Sequence, residues 1–267
     1  MDVLPIFDID GVITNPYTKI PHPKIVQYIA DRLNANKIVA IATGRSVGWI
    51  TERILPEIEK RLLSLNKFNN LFISSEKGAI VLHFLEGEFY TEVDKNIQFP
   101  IEIMTEVREK VKDIQGIFYD DKKLTMVSVE IEAGKNMQEV KEEVREIERV
   151  EAWMREVFLP KYDDIIIERS EISVDIQNKH VNKKMAAKKF LGFLKEKNIT
   201  PSDFIMFGDS PSDAHVIEEM SMHGYAGVFA YVGKKPLAKT YSFPVRTPSE
   251  NIFFDDGAAL LLEKIKE

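Results

Sequence analysis

Asp8-Ile9-Asp10-Gly11-Val12 closes the apolar run Val3-Leu4-Pro5-Ile6-Phe7, and this junction decides the fold class. A short apolar run stopped by a glycine reads as a buried strand ending in a turn. Side chains two apart on a strand share a face, so Asp8 and Asp10 present paired carboxylates at its carboxyl end. In an open α/β sheet that is where ligands bind. Two acids there can divide labour, one ionised as nucleophile and metal ligand, the other moving a proton. A plain sheet-to-loop turn with two solvated acids has the same lettering, so later segments must decide.

Three do. Ile38-Val39-Ala40-Ile41-Ala42 is a second buried-strand run that delivers Thr43-Gly44-Arg45-Ser46 into a helix start. A hydroxyl followed by free backbone N–H groups is a phosphate cradle, and equally a helix N-cap by Thr43. Asn182-Lys183-Lys184 opens a helix running through Met185 to Leu194, whose lysines serve a site or form a solvated face. Phe204-Ile205-Met206-Phe207 is a third strand run, ending in Gly208-Asp209-Ser210-Pro211-Ser212-Asp213. Its acids, four apart around a turn, offer the oxygen-rich setting that Mg²⁺ requires.

Taken in order, a paired acid, a hydroxyl, a lysine and a second acid pair, the chain resembles the haloacid dehalogenase-like (HAD) phosphohydrolase superfamily. The motifs that match are Asp8-Ile9-Asp10, Thr43, Lys183 and Gly208-Asp209 with Asp213. Val12 replaces the commoner Thr after Asp-Gly. Lys184 adjoins Lys183, and Val181-Asn182 favours Lys183 as the motif lysine. The resemblance implies an α/β fold, a Rossmann-like parallel-sheet core with an inserted α+β cap of the C2 type. It implies that Asp8 attacks phosphorus to form an aspartyl-phosphate, while Asp10 protonates the leaving alkoxide and then activates water. Thr43, the Gly44 backbone and Lys183 would bind the phosphoryl group. Mg²⁺ would be the cofactor, held by Asp8, the Asp10 backbone carbonyl and Asp209, with Asp213 in the same metal group orienting a ligand or a water. Arg45 is expected either at the phosphate or paired with a core carboxylate.

The stretch between Thr43 and Lys183 sets the domain organisation. A helix from about Val47 to Leu65 and a strand from Asn70 to Ser75 belong to the core, as does a helix from about Pro23 to Asn34. Residues 1–82 and 180–267 are expected to form the catalytic core and 83–179 the cap. Within the insert, Glu88–Glu92, Leu124–Ile131, Ile165–Glu168 and Ile172–Ile176 read as strands, the last two as a hairpin around Arg169-Ser170-Glu171. Pro100–Ile114 and Met137–Val150 read as amphipathic helices. Ser75-Glu76-Lys77-Gly78-Ala79 resembles the Glu-Asn-Gly-Ala segment of the Cof-like and sugar-phosphatase branch, with Lys77 in place of Asn.

Composition narrows the chemistry. The chain has 267 residues, 44% hydrophobic and 30% charged, with no cysteine, a globular profile without disulfide or thiolate chemistry. A net charge of −7 argues against nucleic-acid binding and requires local cations where a phosphate dianion approaches. No apolar run is long enough to cross a bilayer and no basic-then-apolar leader precedes the first strand, so a cytoplasmic enzyme without membrane partners is expected. The histidines lack metal-ligand spacing, no Gly-x-Ser-x-Gly elbow supports serine hydrolysis, and Trp49 and Trp153 read as packing residues. The leading expectation is a Mg²⁺-dependent phosphatase for a small phosphorylated metabolite, a sugar phosphate above others, over which the cap closes. A phosphomannomutase-like phosphotransferase and a noncatalytic phospho-ligand sensor are its rivals. The sequence does not fix the oligomeric state or the particular ester.

Overall fold

The computed structural model describes residues 3–97, 99–132, 140–170, 172–249 and 251–266. The chain divides into two units, Met1–Val93 with Asn182–Glu267, and Asp94–Val181.

In chain order the first unit contributes β1 (Leu4–Phe7), α1 (Pro23–Asn34), β2 (Val39–Ala42), α2 (Val47–Arg53), α3 (Leu55–Glu59), β3 (Leu71–Ser75), β4 (Ile80–Leu85) and β5 (Glu88–Val93). The second contains α4 (Ile101–Val111), β6 (Ile117–Tyr119), β7 (Met126–Ile131), α5 (Lys141–Phe158), β8 (Ile165–Arg169) and β9 (Ser173–Asn178). The chain then returns to the first unit with α6 (Lys183–Glu196), β10 (Asp203–Gly208), α7 (Ala214–Met222), β11 (Ala226–Tyr231), β12 (Val245–Arg246) and α8 (Phe254–Lys266).

Among the described residues the first unit builds one eight-stranded sheet in the order β12-β11-β10-β1-β2-β3-β4-β5. β12 to β3 run parallel, and β4 and β5 are antiparallel additions. The α/β class follows from the sequence: strands such as Val39-Ala40-Ile41-Ala42 are buried on both faces, as a parallel sheet covered by helices requires. Along β1, Leu4 and Ile6 join the core that α6 and α7 cover, while Phe7 packs edge-on against Tyr28 of α1. Chain order reverses at β1, whose neighbours are β2 on one side and β10 on the other. A crevice therefore opens at the carboxyl ends of β1 and β10.

The second unit pairs its strands antiparallel in the order β6-β7-β9-β8. Val127, Val129, Ile131, Val174 and Ile176 alternate inward to one core with Ile103 and Val107 of α4 and Ile147, Val150 and Met154 of α5. The alternating residues Ser128 and Asp175 occupy the other face, where Ser128 donates to Asp175 and Lys123 lies 3.8 Å from the same carboxylate.

Several expected boundaries move. The cap was expected to begin at residue 83, which falls inside β4, and Glu88–Val93 pairs with β4 in the eight-stranded sheet instead of joining the insert. A strand placed by its own sequence carries no information about which sheet its partner belongs to, so a hairpin is assigned wrongly when its first strand goes unread. The long helix expected from Val47 is two short ones, because Pro56 lacks the N–H that would carry α2 onward into α3. The second helix of the insert continues to Phe158, beyond the expected Val150. Its expected first turn at Met137, and Glu171 of the expected hairpin turn, lie outside the described residues. No described helix is long and apolar enough to cross a membrane.

Phe7 and Phe207 stack with ring centroids 4.9 Å apart across the β1–β10 pair, both fully buried. Truncating Phe207→Ala is expected to cost about 3–5 kcal/mol by urea unfolding. A loss under about 1 kcal/mol would mean that this pair does not fix the two strands.

Candidate active site

Parallel register sets the site. Phe7 lies opposite Phe207, so Asp8 and Asp209 leave neighbouring strands at almost the same level. Asp8, Asp209 and Asp213 each offer a carboxylate oxygen within 4.8 Å of the others. Two glycines permit this crowding. Gly11 has φ +69°, and a side chain there would lie 2.3 Å from Asp209 Oδ2; one at Gly208 would lie 2.2 Å from the Asp213 Cβ.

One ammonium holds the group together. Lys183 heads α6, whose N-cap Asn182 accepts from the Lys184 backbone N–H and so fixes the register of the first turn. Lys183 Nζ lies 3.0 Å from Asp8 Oδ2 and donates to Asp213 Oδ1. The other Asp213 oxygen accepts from the Ser210 backbone N–H and hydroxyl, each at 2.9 Å. Lys184 turns away to Glu218, at 3.2 Å.

Asp10 belongs to a second charge group. Arg45 donates to it through two nitrogens, 2.6 Å to Oδ2 and 2.7 Å to Oδ1, and Lys19 Nζ reaches Oδ1 at 2.9 Å. The Arg45 guanidinium also lies over the Trp49 ring, 4.8 Å from its centroid. The Asp10 side chain thus does not join the Asp8, Asp209 and Asp213 group; its backbone carbonyl is the atom the family pattern assigns to metal.

The two groups titrate in opposite directions. Burial pushes the Asp8 carboxyl up to about 7, with Lys183 opposing and the negative charges of Asp213 and Asp10 adding to the rise. Asp209 is raised well above the usual carboxylate range, first by burial and then by Asp213 and Asp8. Burial acts upward on Asp10 too, but Arg45 and Lys19 outweigh it and hold that carboxyl far below its usual range. Lys183 is held above its usual range because Asp213 and Asp8 outweigh the cost of burying it. Two neighbouring acids with protonation driven apart can serve as acid–base partners.

Thr43 is buried, and its hydroxyl accepts from the Arg45 backbone N–H at 3.2 Å. The expected helix cap is Ser46 instead, whose hydroxyl accepts from the Trp49 N–H. Gly44 stands in the same turn against the Lys77 side chain. Arg45, open to two readings from sequence, pairs with a core carboxylate. Lys19 was not singled out; it follows Tyr17-Thr18 in a loop, and no local pattern ties that loop to Asp10. In the second unit Arg169 pairs with Glu148 and Glu151 of α5.

A charge cluster of this kind fits a divalent cation. Three carboxylates converge, and burial with mutual repulsion leaves two of them disfavouring ionisation until positive charge is supplied. The family model for trehalose-phosphatase matches residues 6–246. The chain belongs to the trehalose-phosphatase family. It is a phosphoric monoester hydrolase of the HAD superfamily, with the Rossmann-like core expected of that fold. The chain is similar to the C-terminal domain of trehalose-6-phosphate phosphatase from C. albicans, at 16% identity and TM-score 0.64 over 91% of this chain and 86% of that one. It is also similar to a haloacid dehalogenase-like hydrolase from Bacteroides thetaiotaomicron, at 15% identity and TM-score 0.63 over 98% and 99%. Sucrose-phosphatase from Synechocystis, solved with sucrose and phosphate, aligns at 17% identity and TM-score 0.55 over 99% and 96%. At these identities the likeness shows the fold. No curated protein matches the chain by sequence.

The raised acids make this hydrolase's stability depend on pH in a definite sense. Between about pH 4 and 7 native Asp8 keeps a proton that the unfolded chain has lost, so stability without divalent cation falls as pH rises through that window. Asp209 acts in the same sense, whereas Asp10 contributes its dependence at lower pH. Melting temperature in chelator is expected to fall across pH 4.5–7.5 more steeply for wild type than for Asp8→Asn. Equal slopes would mean that Asp8 is not the group that titrates.

Proposed function

We propose that the protein hydrolyses a small sugar phosphate through an aspartyl-phosphate on Asp8. The observation that carries this reading is the placement of Asp8, at the switch point of the sheet, 3.0 Å from the buried Lys183 ammonium. A side-chain oxygen of Asp8 forms the bond to phosphorus as the ester P–O bond breaks. Lys183 orients the nucleophile and offsets the charge that gathers on the phosphoryl oxygens. Thr43 and the Gly44 backbone N–H bind those oxygens. The leaving alkoxide takes its proton from Asp10, and water then attacks phosphorus, gives a proton to Asp10 and releases Asp8 with inorganic phosphate.

Asp10 must change partners during this cycle. With Arg45 and Lys19 on both its oxygens it is ionised at neutral pH and suited to act as a base. An incoming phosphoryl group offers the two cations an alternative anion, so that Asp10 takes up from solvent the proton it then gives to the leaving alkoxide and regains from the attacking water. Asp8, Asp209 and the Asp10 backbone carbonyl would hold Mg²⁺, with Asp213, whose oxygens already accept from Lys183 and Ser210, orienting this set. Bound there, Mg²⁺ supplies positive charge to the phosphoryl oxygens.

The names of the trehalose-6-phosphate and sucrose-phosphate enzymes support a sugar ester over other monoesters. A cytoplasmic setting belongs to the same proposal.

Phosphate release from p-nitrophenyl phosphate is expected with Mg²⁺, to stop with EDTA, and to fall by at least about 10³-fold in Asp8→Asn. Activity that survives this substitution would sink the nucleophile assignment. A hexose 1-phosphate converted to its isomer instead of free sugar would turn the assignment to phosphoryl transfer.

A further inference from the structure

Lys77 is a residue that the mechanism above leaves without a role, in a conformation that costs free energy. Its φ is +55° and that of Glu76 is +45°, two successive non-glycine residues in the left-handed region, followed by Gly78 at +110°. Side chains with a Cβ are disfavoured there, and such strain persists only where its surroundings impose it. The surroundings are the Thr43 turn. The Thr43 N–H donates to the Ser74 carbonyl at 3.0 Å, the Lys77 N–H to the Thr43 carbonyl at 2.8 Å, and the Glu76 N–H to the Arg45 carbonyl at 3.1 Å. These three bonds zip residues 74–77 onto residues 43–45 and leave the Lys77 backbone no freedom to relax.

The zipper aims the lysine stem across Gly44. A Cβ built on Gly44 would lie 3.6 Å from Lys77 Cε and 3.7 Å from its Cγ. The ammonium is one bond beyond Cε, so a positive charge stands beside the turn whose Thr43 hydroxyl and Gly44 N–H are assigned to phosphate. A glycine or an asparagine would meet the backbone requirement at less cost, so the lysine side chain is what the strained position retains. Lys183 reaches the site from the start of α6, and Arg45 and Lys19 reach it from the loops after β2 and β1. Lys77 approaches from a different loop, on the side of the Thr43–Gly44 turn.

We propose that Lys77 is an anion-binding residue of this site, its ammonium contacting phosphoryl oxygens seated at the Thr43–Gly44 turn. This rests on the phosphate-ester reading for the nature of the ligand, and not on the aspartyl-phosphate mechanism.

Inorganic phosphate is the probe, read both as a competitive inhibitor of p-nitrophenyl phosphate hydrolysis and as a shift in melting temperature with Mg²⁺ present. Lys77→Met keeps the stem over Gly44 and removes the charge. It is expected to weaken phosphate binding and raise KM by about tenfold, the effect of one charge-assisted contact, with a smaller change in kcat. Lys77→Asn suits the left-handed backbone, so it should melt at or above the wild-type temperature while losing the same phosphate affinity. Lys77→Arg should retain most of it. Phosphate affinity within twofold of wild type in both Lys77→Met and Lys77→Asn would overturn the assignment. Wild-type protein that is shifted by phosphate but releases none from any ester would sink the hydrolase reading and leave the Lys77 test standing.

Discussion

The buried Lys183 ammonium between Asp8 and Asp213 is the interaction on which the rest of the site depends. Parallel pairing of β1 with β10 is dictated by their apolar sequences, and its register brings Asp8 and Asp209 out side by side. The sheet therefore cannot form without crowding like charges at its carboxyl end. Removing one partner from a buried ionic group is far more costly than the group's net contribution when intact. Lys183 is 6% exposed and Asp213 is fully buried, so loss of the lysine would leave the acids to protonate or to move apart. Its position follows from Asn182, which caps α6 and points the first-turn lysine back at the strand ends.

Around this centre, two acids only two residues apart on one strand end meet opposite fields. Asp8 faces other acids and a shared lysine, whereas Asp10 is met by an arginine fork and a lysine. The difference arises from the loops after β1 and β2, which deliver Lys19 and Arg45 to Asp10. In the proposed mechanism the nucleophile has to give up a proton readily once positive charge arrives, and the proton carrier has to be free to change state during turnover. The arrangement separates these requirements in space without separating them in sequence.

How much of this could be read from the chain follows from what local sequence encodes. The strand runs ending at Phe7, Ala42 and Phe207 are continuous apolar stretches, and each is followed at once by polar residues, so Asp8, Asp10, Thr43 and Asp209 could be picked out at the strand ends. The helix starting at Lys183 announced itself by its Asn cap. The β4–β5 hairpin was misplaced because pairing between strands is not a local property. Lys19 was hidden for the same reason, and Arg45 was legible only as a choice between the phosphate and a core carboxylate, with Asp10 unnamed as its partner. A long cation reaches across several ångströms from whatever loop carries it, and nothing in Tyr17-Thr18-Lys19 records the target.

That asymmetry between acids and cations has a physical basis. Asp8 and Asp209 leave strand ends with one or two side-chain bonds of slack, next to backbone fixed by sheet hydrogen bonds, and their positions are inherited from the fold. Most of the cations hang from helix starts and loops by three or four rotatable bonds. Phosphoryl chemistry changes the charge on the reacting group at each step, so a site in which every charge was rigid would suit one step and oppose the next. In the proposed mechanism, rigid acids with adjustable cations would let positive charge follow the phosphoryl group while Asp8 stays where the sheet put it. Lys77 is the informative exception, a cation whose backbone is held by three loop bonds in a disfavoured conformation. Its side chain keeps the same rotatable bonds, so what the loop fixes is the place from which the charge reaches out, beside the turn of Thr43 and Gly44.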